Sequence, residues 1–341
     1  MLKKKPKYVM AILGATGAVG KETLEILEER KFPLESLRLF ASRRSAGETL
    51  SCQGKDWKVE ELTPASSFDG VDIALISATD AVSREYGQKL GAAGVVVIDD
   101  SAVFRMEQDV PLVVPEVNGD ALQSMPRGIV SIPNCTTTPL VMALKPLHDA
   151  VGVKRVVVTT FQSVSGTGAA AMDELVDQTK ALLAFREDKT KVYPHQIAFN
   201  LLPQIGSFNE GGDCSEEVKI VMETRKILGA PSLRVTATTV RVPVLRCHSE
   251  AINVELEKPL STNEARALLA GMPGMIVFDD PAKKLYPMPL DATGKDDVFV
   301  GRIRQDHSVE HGLNLWVVSD NLRKGAALNA IQIAEWLINR A

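Results

Sequence analysis

The sequence lacks the features that mark membrane-spanning, disulfide-bonded or zinc-stabilised proteins. No run approaches the roughly 18 consecutive apolar residues of a membrane-spanning helix, and no apolar segment precedes a cleavage site near the first residues. The four cysteines are scattered without CxxC spacing, which favours reduced thiols over a disulfide framework or a structural zinc site. We therefore expect a cytoplasmic protein with no metal site and no membrane partner.

Charge of either sign is not in large excess. The formal net charge of −4 gives no general attraction to nucleic acid, so we expect no nucleic-acid partner. The basic cluster at residues 3–7 is short enough to be a solvated terminus. The length of 341 residues favours two domains over one.

The N-terminal part alternates apolar runs of strand length with helical patterns. The runs lack polar alternation, which is typical of a parallel sheet covered by helices on both faces. We predict strands at 8–13, 37–42, 71–78, 94–101, 111–117 and 128–133, and helices at 18–30 and 80–91. These elements predict a Rossmann-like, doubly wound α/β domain over residues 1–133.

The composition of the apolar runs changes after residue 150. They become rich in Thr and Val, and residues 250–257 alternate cleanly, which indicates a half-exposed and largely antiparallel sheet. We predict strands at 154–164, 233–244, 250–257, 298–306 and 312–320, and helices at 169–185, 215–228, 262–271 and 324–339. Residues 134–320 are therefore predicted to form a second domain, of the α+β class.

The motif GATGAVG, residues 14–20, follows the first predicted strand and leads into the first helix. Gly14, Gly17 and Gly20 permit a tight turn and a close backbone approach to a phosphate. The N–H groups at the start of the helix attract the anion. The spacing is GxxGxxG rather than GxGxxG, so its place after the first strand is what favours a dinucleotide site over a structural turn.

The next motif, ASRRSAG at residues 41–47, distinguishes between two cofactors. An NAD site usually has an acidic residue at the end of the second strand, where it binds the ribose 2′-hydroxyl. This chain has two arginines and no acid there. Guanidinium and hydroxyl groups suit a 2′-phosphate, so we predict NADP with Ser42, Arg44 and Ser45 near that phosphate. The alternative is a polar turn with solvated arginines.

Cys135 stands between a predicted strand and the helical pattern that follows it. Asn134 can cap this helix, and Pro139 suits its first turn. A helix N-terminus favours the thiolate over the thiol. The polar surroundings of Cys135 argue against the alternative, a small buried hydrophobic residue. Cys52 and Cys214 lack this context and are interpreted as structural.

Together with PLVVPEVN, these motifs resemble the aspartate-β-semialdehyde dehydrogenase family. The likeness continues through FQSVSGTGAAAMDEL, SEEVKIVMETRKIL, RVPVLRCHSEA and SDNLRKGAALNAIQIAEW, in the family's order over essentially the whole chain. The resemblance implies NADPH-dependent, reversible reduction of β-aspartyl phosphate to aspartate β-semialdehyde and phosphate. It places this step in lysine (diaminopimelate), threonine and methionine biosynthesis, and it implies a homodimer.

The resemblance also implies three catalytic residues. Cys135 would attack the acyl phosphate and expel phosphate, leaving a thioester that hydride from NADPH reduces. His248 is the candidate base, because imidazole titrates near neutrality. Gln162 would orient the acyl group.

The same resemblance implies a set of residues that bind an anionic substrate. Arg241 would hold the α-carboxylate in a bidentate fork, and Arg105 and Lys219 would bind the phosphoryl group. Glu216 would pair with the substrate ammonium or hold Lys219, although by spacing alone an ordinary exposed salt bridge is the better interpretation. Asn134 completes the predicted substrate contacts.

The cofactor contacts that the resemblance implies extend beyond the glycine loop. They are Gly14, Thr16, Gly17, Ala18, Val19, Ser42, Arg44, Ser45, Ser77, Ser165, Gly166 and Asn321. Asn321 precedes the last helix, so residues 321–341 are expected to return to the NADP-binding domain and pack on it. Residues 134–320 are then the catalytic and dimerisation domain.

The spacing of two predicted site residues constrains the local backbone. Arg241 and His248 are seven residues apart and would face opposite sides of one straight strand. Pro243 is unfavourable inside a ladder of strand hydrogen bonds. We therefore predict a bulge or a strand end between residues 243 and 248.

The chain departs from the family's pattern in two places. Thr79 and Asp80 stand where relatives often carry glycine, and Asp80 beside a pyrophosphate would be unfavourable unless it caps the next helix. Cys247 stands where glycine often precedes the histidine. Its thiol is a candidate for oxidation against Cys135.

Other functions compete with the main interpretation. N-acetyl-γ-glutamyl-phosphate reductase has similar architecture and chemistry, but an acetylated amine would not need Glu216. A non-catalytic NADP-binding paralogue should have lost the nucleophile or its base, whereas this chain keeps Cys135 and His248. A thiol hydrolase would leave the glycine loop and the paired arginines unexplained.

Overall fold

The computed structural model describes residues 2–186 and 189–340, which fall into two compact units. The first unit runs to Asn134 and resumes at Ala326, and the second spans Cys135–Gly325. Asn134 thus lies with the first unit rather than the second. Residues 321–325 lie with the second unit rather than with the C-terminal segment, contrary to the boundaries expected from the sequence.

Within the described residues the elements are as follows. The strands are β1 (Tyr8–Leu13), β2 (Leu34–Ala41), β3 (Thr49–Cys52), β4 (Lys55–Glu61), β5 (Ile73–Ile76), β6 (Val96–Asp99), β7 (Ile129–Ser131), β8 (Val153–Gln162), β9 (Arg234–Arg241), β10 (His248–Leu256), β11 (Met275–Val277), β12 (Val298–Asp306) and β13 (Gly312–Ser319). The helices are α1 (Ala18–Glu29), α2 (Asp80–Ala92), α3 (Pro115–Asn118), α4 (Thr137–Val151), α5 (Ala169–Leu183), α6 (Ser215–Ile227), α7 (Thr262–Ala270), α8 (Pro289–Ala292) and α9 (Leu328–Arg340).

The first unit is built on a sheet with strand order β3-β4-β2-β1-β5-β6-β7. All its pairings are parallel except the β3–β4 hairpin. Apolar side chains cover both faces, as expected for parallel strands buried on two sides. Ile26 and Leu27 of α1 lie in one cluster with Ile331 of α9, while Tyr86 of α2 lies in the other.

One predicted strand of this unit is wrong. Residues 111–117 contribute only an isolated bridge between Leu112 and Ser131, and then turn into α3. Pro115 stands at the start of that short helix, where its fixed φ and missing N–H are tolerated. The β3–β4 hairpin was not predicted, because its polar residues give little strand signal.

The second unit contains a mixed sheet with strand order β11-β12-β13-β10-β8-β9. The inner pairings β12–β13, β13–β10 and β10–β8 are antiparallel, whereas the edge strands β11 and β9 run parallel to their neighbours. Helix α4 packs on this sheet, and α6 packs on β9 and α4. The predicted fold class, a doubly wound domain followed by an α+β domain, is confirmed.

No helix in the two described stretches has the length and apolar character that a bilayer crossing requires.

Candidate active site

The glycine loop joins β1 to α1 in the first unit. Gly14 has φ of +97°, and a Cβ there would lie 2.0 Å from the carbonyl oxygen of Ser77. A Cβ on Gly20 would lie 2.3 Å from the carbonyl oxygen of Gly14. Both positions therefore require glycine, and the loop folds tightly at the N-terminus of α1. Thr16, Ala18 and Val19 are half-buried beside it, while Gly17 is exposed.

The turn after β2 holds the residues predicted to bind a 2′-phosphate. Ser42 and Arg44 are exposed, and Ser45 is buried. The N–H of Ser45 donates to the carbonyl of Ser42 at 2.9 Å, which closes the turn. No carboxylate side chain occupies residues 41–47. The glycine loop at the N-terminus of α1 fits a dinucleotide.

Arg105 also belongs to the first unit, in the loop after β6. It is buried, and its Nη2 donates to the carbonyl oxygen of Asp100 at 2.8 Å. The same nitrogen lies 3.9 Å from a carboxylate oxygen of Asp100. The guanidinium is thus held by the backbone of its own loop.

Cys135 is the first residue of the second unit and lies in the turn before α4. It is partly exposed, and Thr136 occupies the N-cap position, so the helix begins two residues later than a cap at Asn134 would give. The thiol therefore stands at the N-terminal end of a helix of 15 residues. The dipole and N–H groups of such an end favour a thiolate.

Three buried side chains lie in one row at the ends of adjacent strands. Gln162 of β8 pairs in register with Arg241 of β9. His248 begins β10, and the next residue of that strand, Ser249, pairs with Phe161. Directly opposite residues of neighbouring strands share a face of the sheet, so Arg241, Gln162 and His248 stand side by side.

Ser163 fixes the orientation of two of these side chains. Its carbonyl oxygen accepts a hydrogen bond from Nη1 of Arg241 at 2.7 Å. Its backbone N–H donates to Nδ1 of His248 at 3.0 Å. Nδ1 is therefore an acceptor, and the neutral imidazole carries its proton on Nε2.

The charge state of His248 follows from its surroundings. Burial, followed by the positive charge of Arg241, lowers its pKa to about 3. The ring is then neutral at physiological pH. Its Nε2 and the Nε of Arg241 are buried, and neither has a hydrogen-bond partner among the described residues. Two donors without acceptors are typical of a site that binds an anionic or oxyanionic ligand.

Gly166 leaves open the space beside the guanidinium of Arg241 and the ring of His248. A Cβ on this residue would lie 3.1 Å from both Nη1 of Arg241 and Nε2 of His248. The two side chains thus converge on one small volume.

Gln162 extends the row to helix α6. Its Nε2 donates to Oε1 of Glu216 at 3.1 Å, and Oε2 of Glu216 lies 3.2 Å from Nζ of Lys219. Glu216 is buried, while the side chain of Lys219 is 34% exposed. The pair is therefore joined to the row and is more than a solvated surface bridge.

Asn321 accepts three hydrogen bonds on the other side of His248. Its Oδ1 accepts hydrogen bonds from the hydroxyls of Ser163 and Ser165 and from the N–H of Cys247. This connection fixes the residue that precedes His248.

The predicted interruption between Arg241 and His248 is present, but the strand ends at Arg241, two residues before the interval 243–248 in which it was expected. This interruption explains how Arg241 and His248 share a face. Strand β9 ends at Arg241, and β10 begins at His248. Cys247, with φ of +73°, completes the turn. The two residues therefore lie on different strands, on either side of β8.

The two departures from the family's pattern have structural explanations. Thr79 rather than Asp80 is the N-cap of α2, and its hydroxyl accepts from the N–H of Val82; Asp80 lies in the first helical turn. Cys247 is buried, and burial raises the pKa of its thiol to about 12, with Asp320 adding to the shift. A thiol held in this state is a poor partner for disulfide formation with Cys135.

Sequence reasoning missed two residues of this site. Ser163 lies between the predicted residues Gln162 and Ser165, but it contacts Arg241, His248 and Asn321, which are distant from it in the sequence. Gly325 lies in a π-helical turn, and a Cβ there would be 3.0 Å from the Cβ of Cys135. Only glycine lets that turn approach the cysteine so closely.

Comparison with known proteins identifies the family. Residues 9–125 match the NAD-binding domain of semialdehyde dehydrogenases, and residues 144–324 match their dimerisation domain. Aspartate-semialdehyde dehydrogenase of Aquifex aeolicus is 52% identical over 97% of this chain and 98% of its own. The enzyme of Bacillus subtilis is 46% identical over 96% of both chains. The chain belongs to the aspartate-semialdehyde dehydrogenase family. It is accordingly an oxidoreductase of amino-acid biosynthesis.

Solved structures of the aspartate-semialdehyde dehydrogenase family share the fold. Aspartate semialdehyde dehydrogenase II of Vibrio cholerae, crystallised with ASA, gives a TM-score of 0.96 at 46% identity and covers 98% of this chain and 99% of that one. The Candida albicans enzyme, solved with NADP, gives a TM-score of 0.76 at 28% identity over 97% and 98% of the two chains.

A methyl group at Gly166 tests whether the converging donors form the site. In Gly166→Ala the new Cβ would push Arg241 and His248 apart, so we expect kcat/KM to fall by about tenfold or more. The free energy of unfolding should change by less than about 1 kcal/mol. Gly271→Ala, whose Cβ meets only ordinary contacts at 3.5 Å, is the matched control. Unchanged kinetics in Gly166→Ala would place the reacting groups elsewhere.

Proposed function

We propose that this enzyme reduces β-aspartyl phosphate to aspartate β-semialdehyde and phosphate, reversibly, with NADPH and through a thioester on Cys135. The observation that carries the proposal is the convergence of Nε2 of His248 and the guanidinium of Arg241 beside Gly166. Nε2 of His248 and Nε of Arg241 are buried donors with no hydrogen-bond partner among the described residues. They suit a substrate with a carboxylate and a developing oxyanion. Family membership supplies the substrate class.

The proposed place of the reaction is the biosynthesis of lysine, through diaminopimelate, and of threonine and methionine. We also propose that the enzyme works in the cytoplasm. Support comes from the family's place in amino-acid biosynthesis and from the buried thiols of Cys52, Cys214 and Cys247, which form no disulfide.

We propose that the first unit, residues 1–134 with the C-terminal helix, holds NADP. Gly14, Thr16, Gly17, Ala18 and Val19 would receive the pyrophosphate, and Ser42, Arg44 and Ser45 the 2′-phosphate. The further proposed contacts are Ser77, Ser165, Gly166 and Asn321. The Candida albicans relative was solved with NADP, and this chain has no acid in its own 2′-phosphate turn. When bound, NADPH supplies the hydride that reduces the thioester.

Cys135 is the proposed nucleophile. Its thiolate adds to the acyl carbon of the acyl phosphate, the carbonyl oxygen becomes an oxyanion, and the collapse of this oxyanion expels phosphate and leaves the thioester. After reduction, a second oxyanion collapses and expels the thiolate, which gives the aldehyde. In this direction neither collapse requires a base, because phosphate leaves as an anion in the first collapse and sulfur leaves as an anion in the second.

His248 is proposed to stabilise these oxyanions by donating its Nε2 proton as a hydrogen bond. The sequence led us to expect a base. A base at Nε2 would need the ring proton on Nδ1, where it would face the N–H of Ser163. The tautomer in the structure therefore supports donation, as a neutral imidazole with a low pKa can provide.

The remaining side chains are proposed to bind the two ends of the substrate. Arg241 would hold the α-carboxylate, and Glu216 would accept the substrate ammonium while it orients Gln162. Lys219, Arg105 and Asn134 are proposed contacts of the phosphoryl and acyl groups. A buried carboxylate at Glu216 favours a free amine over the acetylated amine of N-acetyl-γ-glutamyl-phosphate reductase substrates.

The second unit is proposed to form a homodimer through its sheet. The face opposite to the His248 row carries Phe161, Ala251 and Trp316, and the two aromatic rings lie 5.6 Å apart. Residues 144–324 match a dimerisation domain. An apolar, half-buried sheet face of this kind suits pairing with a second copy.

The proposed function is tested by NADPH formation from aspartate semialdehyde. The rate should require phosphate, should be higher with NADP than with NAD, and should fall by at least about a thousandfold in Cys135→Ser. Cys52→Ser, which alters a buried thiol in the first unit, is the control and should keep its activity. Activity that survives in Cys135→Ser would exclude the thioester route, and full activity without phosphate would exclude phosphate as the acceptor of the acyl group.

Two replacements of His248 separate donation from base catalysis. His248→Gln keeps an N–H donor near Nε2 but cannot take up a proton, whereas His248→Ala keeps neither. We expect His248→Ala to lose about a hundredfold in kcat, and His248→Gln to retain about tenfold more activity than the alanine variant. Equal losses of kcat in the two variants would instead support His248 as a general base.

A further inference from the structure

Asp100 joins two parts of the first unit to which we assign different ligands. It directly follows β6, and its Oδ2 accepts a hydrogen bond from the hydroxyl of Ser77 at 2.9 Å. Its Oδ1 lies 3.9 Å from Nη2 of Arg105, which also donates to the carbonyl oxygen of Asp100 at 2.8 Å. One residue thus contacts a proposed cofactor residue and a proposed phosphate-binding cation.

Ser77 connects this arrangement to the glycine loop. Its N–H donates to the carbonyl of Leu13 at 2.9 Å, and its own carbonyl oxygen occupies the space that a Cβ on Gly14 would need. A displacement of Ser77 therefore changes the packing against Gly14 in the glycine loop. The carboxyl of Asp100 therefore contacts Ser77 through one oxygen and approaches Arg105 with the other.

The charge of Asp100 is sensitive to pH in the physiological range. Although 18% of its side chain is exposed, burial is the largest influence and raises its pKa to about 6. The cation of Arg105 and the hydroxyl of Ser77 oppose this shift, and the neighbouring carboxyl of Asp99 adds to it. Asp99 and Arg105 are the charged or titratable groups that act on this carboxyl.

We propose that Asp100 is a positioning residue that sets the effective positive charge of Arg105 and thereby adjusts the affinity of the enzyme for phosphate. This rests on the proposed role of Arg105 as a phosphoryl ligand. Ionised Asp100 competes with the bound anion for the guanidinium, because opposite charges at this separation partly cancel. Neutral Asp100 removes this competition, while the backbone carbonyl still holds the guanidinium in place.

The direction of the pH effect follows. As pH rises through the titration of Asp100, the carboxylate forms and phosphate is held less tightly. As pH falls, the neutral acid forms and phosphate is held more tightly. Above the pKa of Asp100, ionisation therefore eases phosphate release in the reductive direction and weakens phosphate capture in the reverse direction.

Asp100→Asn tests the proposal, because it keeps the shape of the side chain and removes its charge. The KM for inorganic phosphate, measured in the NADPH-forming direction from pH 5.5 to 8.5, should be about five- to tenfold lower than in the native enzyme at pH 8. The two values should converge near pH 5.5, and kcat should change by less than about threefold. Ionisation of phosphate itself is common to both enzymes and cancels in the ratio of the two KM values.

Two further variants make the test specific. Asp109→Asn removes a carboxylate that pairs with Arg127 at 3.2 Å in the same unit, and it should leave the phosphate KM unchanged at every pH. Ser77→Ala removes the hydrogen bond that favours the carboxylate, so it should move the midpoint of the pH dependence upward. A structural role of Asp100 alone would lower kcat or stability without this pH-dependent change in KM.

Arg105→Gln separates failure of this inference from failure of the proposed function. If Arg105→Gln leaves the phosphate KM unchanged, the assignment of Arg105 as a phosphoryl ligand is wrong. The inference about Asp100, which rests on that assignment, is then wrong as well. If Arg105→Gln raises the phosphate KM while Asp100→Asn shows a pH-independent ratio near one, only the role of Asp100 is overturned. If Asp100→Asn proves unstable, a midpoint unmoved in Ser77→Ala equally contradicts the proposal.

Discussion

The register of the three adjacent strands β9, β8 and β10 is the constraint on which the proposed catalytic site depends. It sets Arg241, Gln162 and His248 in one row on the buried face. A slip of one residue in any pairing would turn that strand's contribution to the opposite face, because side chains alternate along a strand. Many apolar side chains of the same sheet are buried on this face, so the hydrophobic core and the catalytic row fix the same register. Stability and function are therefore specified together.

Backbone groups, rather than charged side chains, orient the reactive atoms of this row. Ser163 uses its carbonyl to hold Arg241 and its N–H to hold Nδ1 of His248. Both side chains consequently direct donors into the space that Gly166 leaves open. The arrangement is rigid because it is built at strand ends, and it needs no reorganisation when an oxyanion develops, which is the condition under which such donors contribute most.

The sequence was informative where function is carried by local motifs. The glycine loop, the paired arginines and the cysteine before a helix could be interpreted from neighbouring residues alone, as could the strand end near Pro243. Contacts between distant segments could not be predicted, which is why Ser163 and Gly325 were missed. Tautomer is likewise a product of tertiary contact, so the base role expected for His248 was not supported. Residues 111–117 were misassigned because an apolar run of strand length lacks a neighbour along most of its length.

The central claim is that Cys135 becomes covalently acylated. It is tested most directly by mixing the enzyme with β-aspartyl phosphate without NADPH, quenching in acid and mapping the modified peptide by mass spectrometry. The account predicts one aspartyl group on the peptide that contains Cys135, removed by hydroxylamine and lost when NADPH is included before the quench. An unmodified Cys135 peptide under conditions in which phosphate is released, or an aspartyl group on another residue, would contradict it.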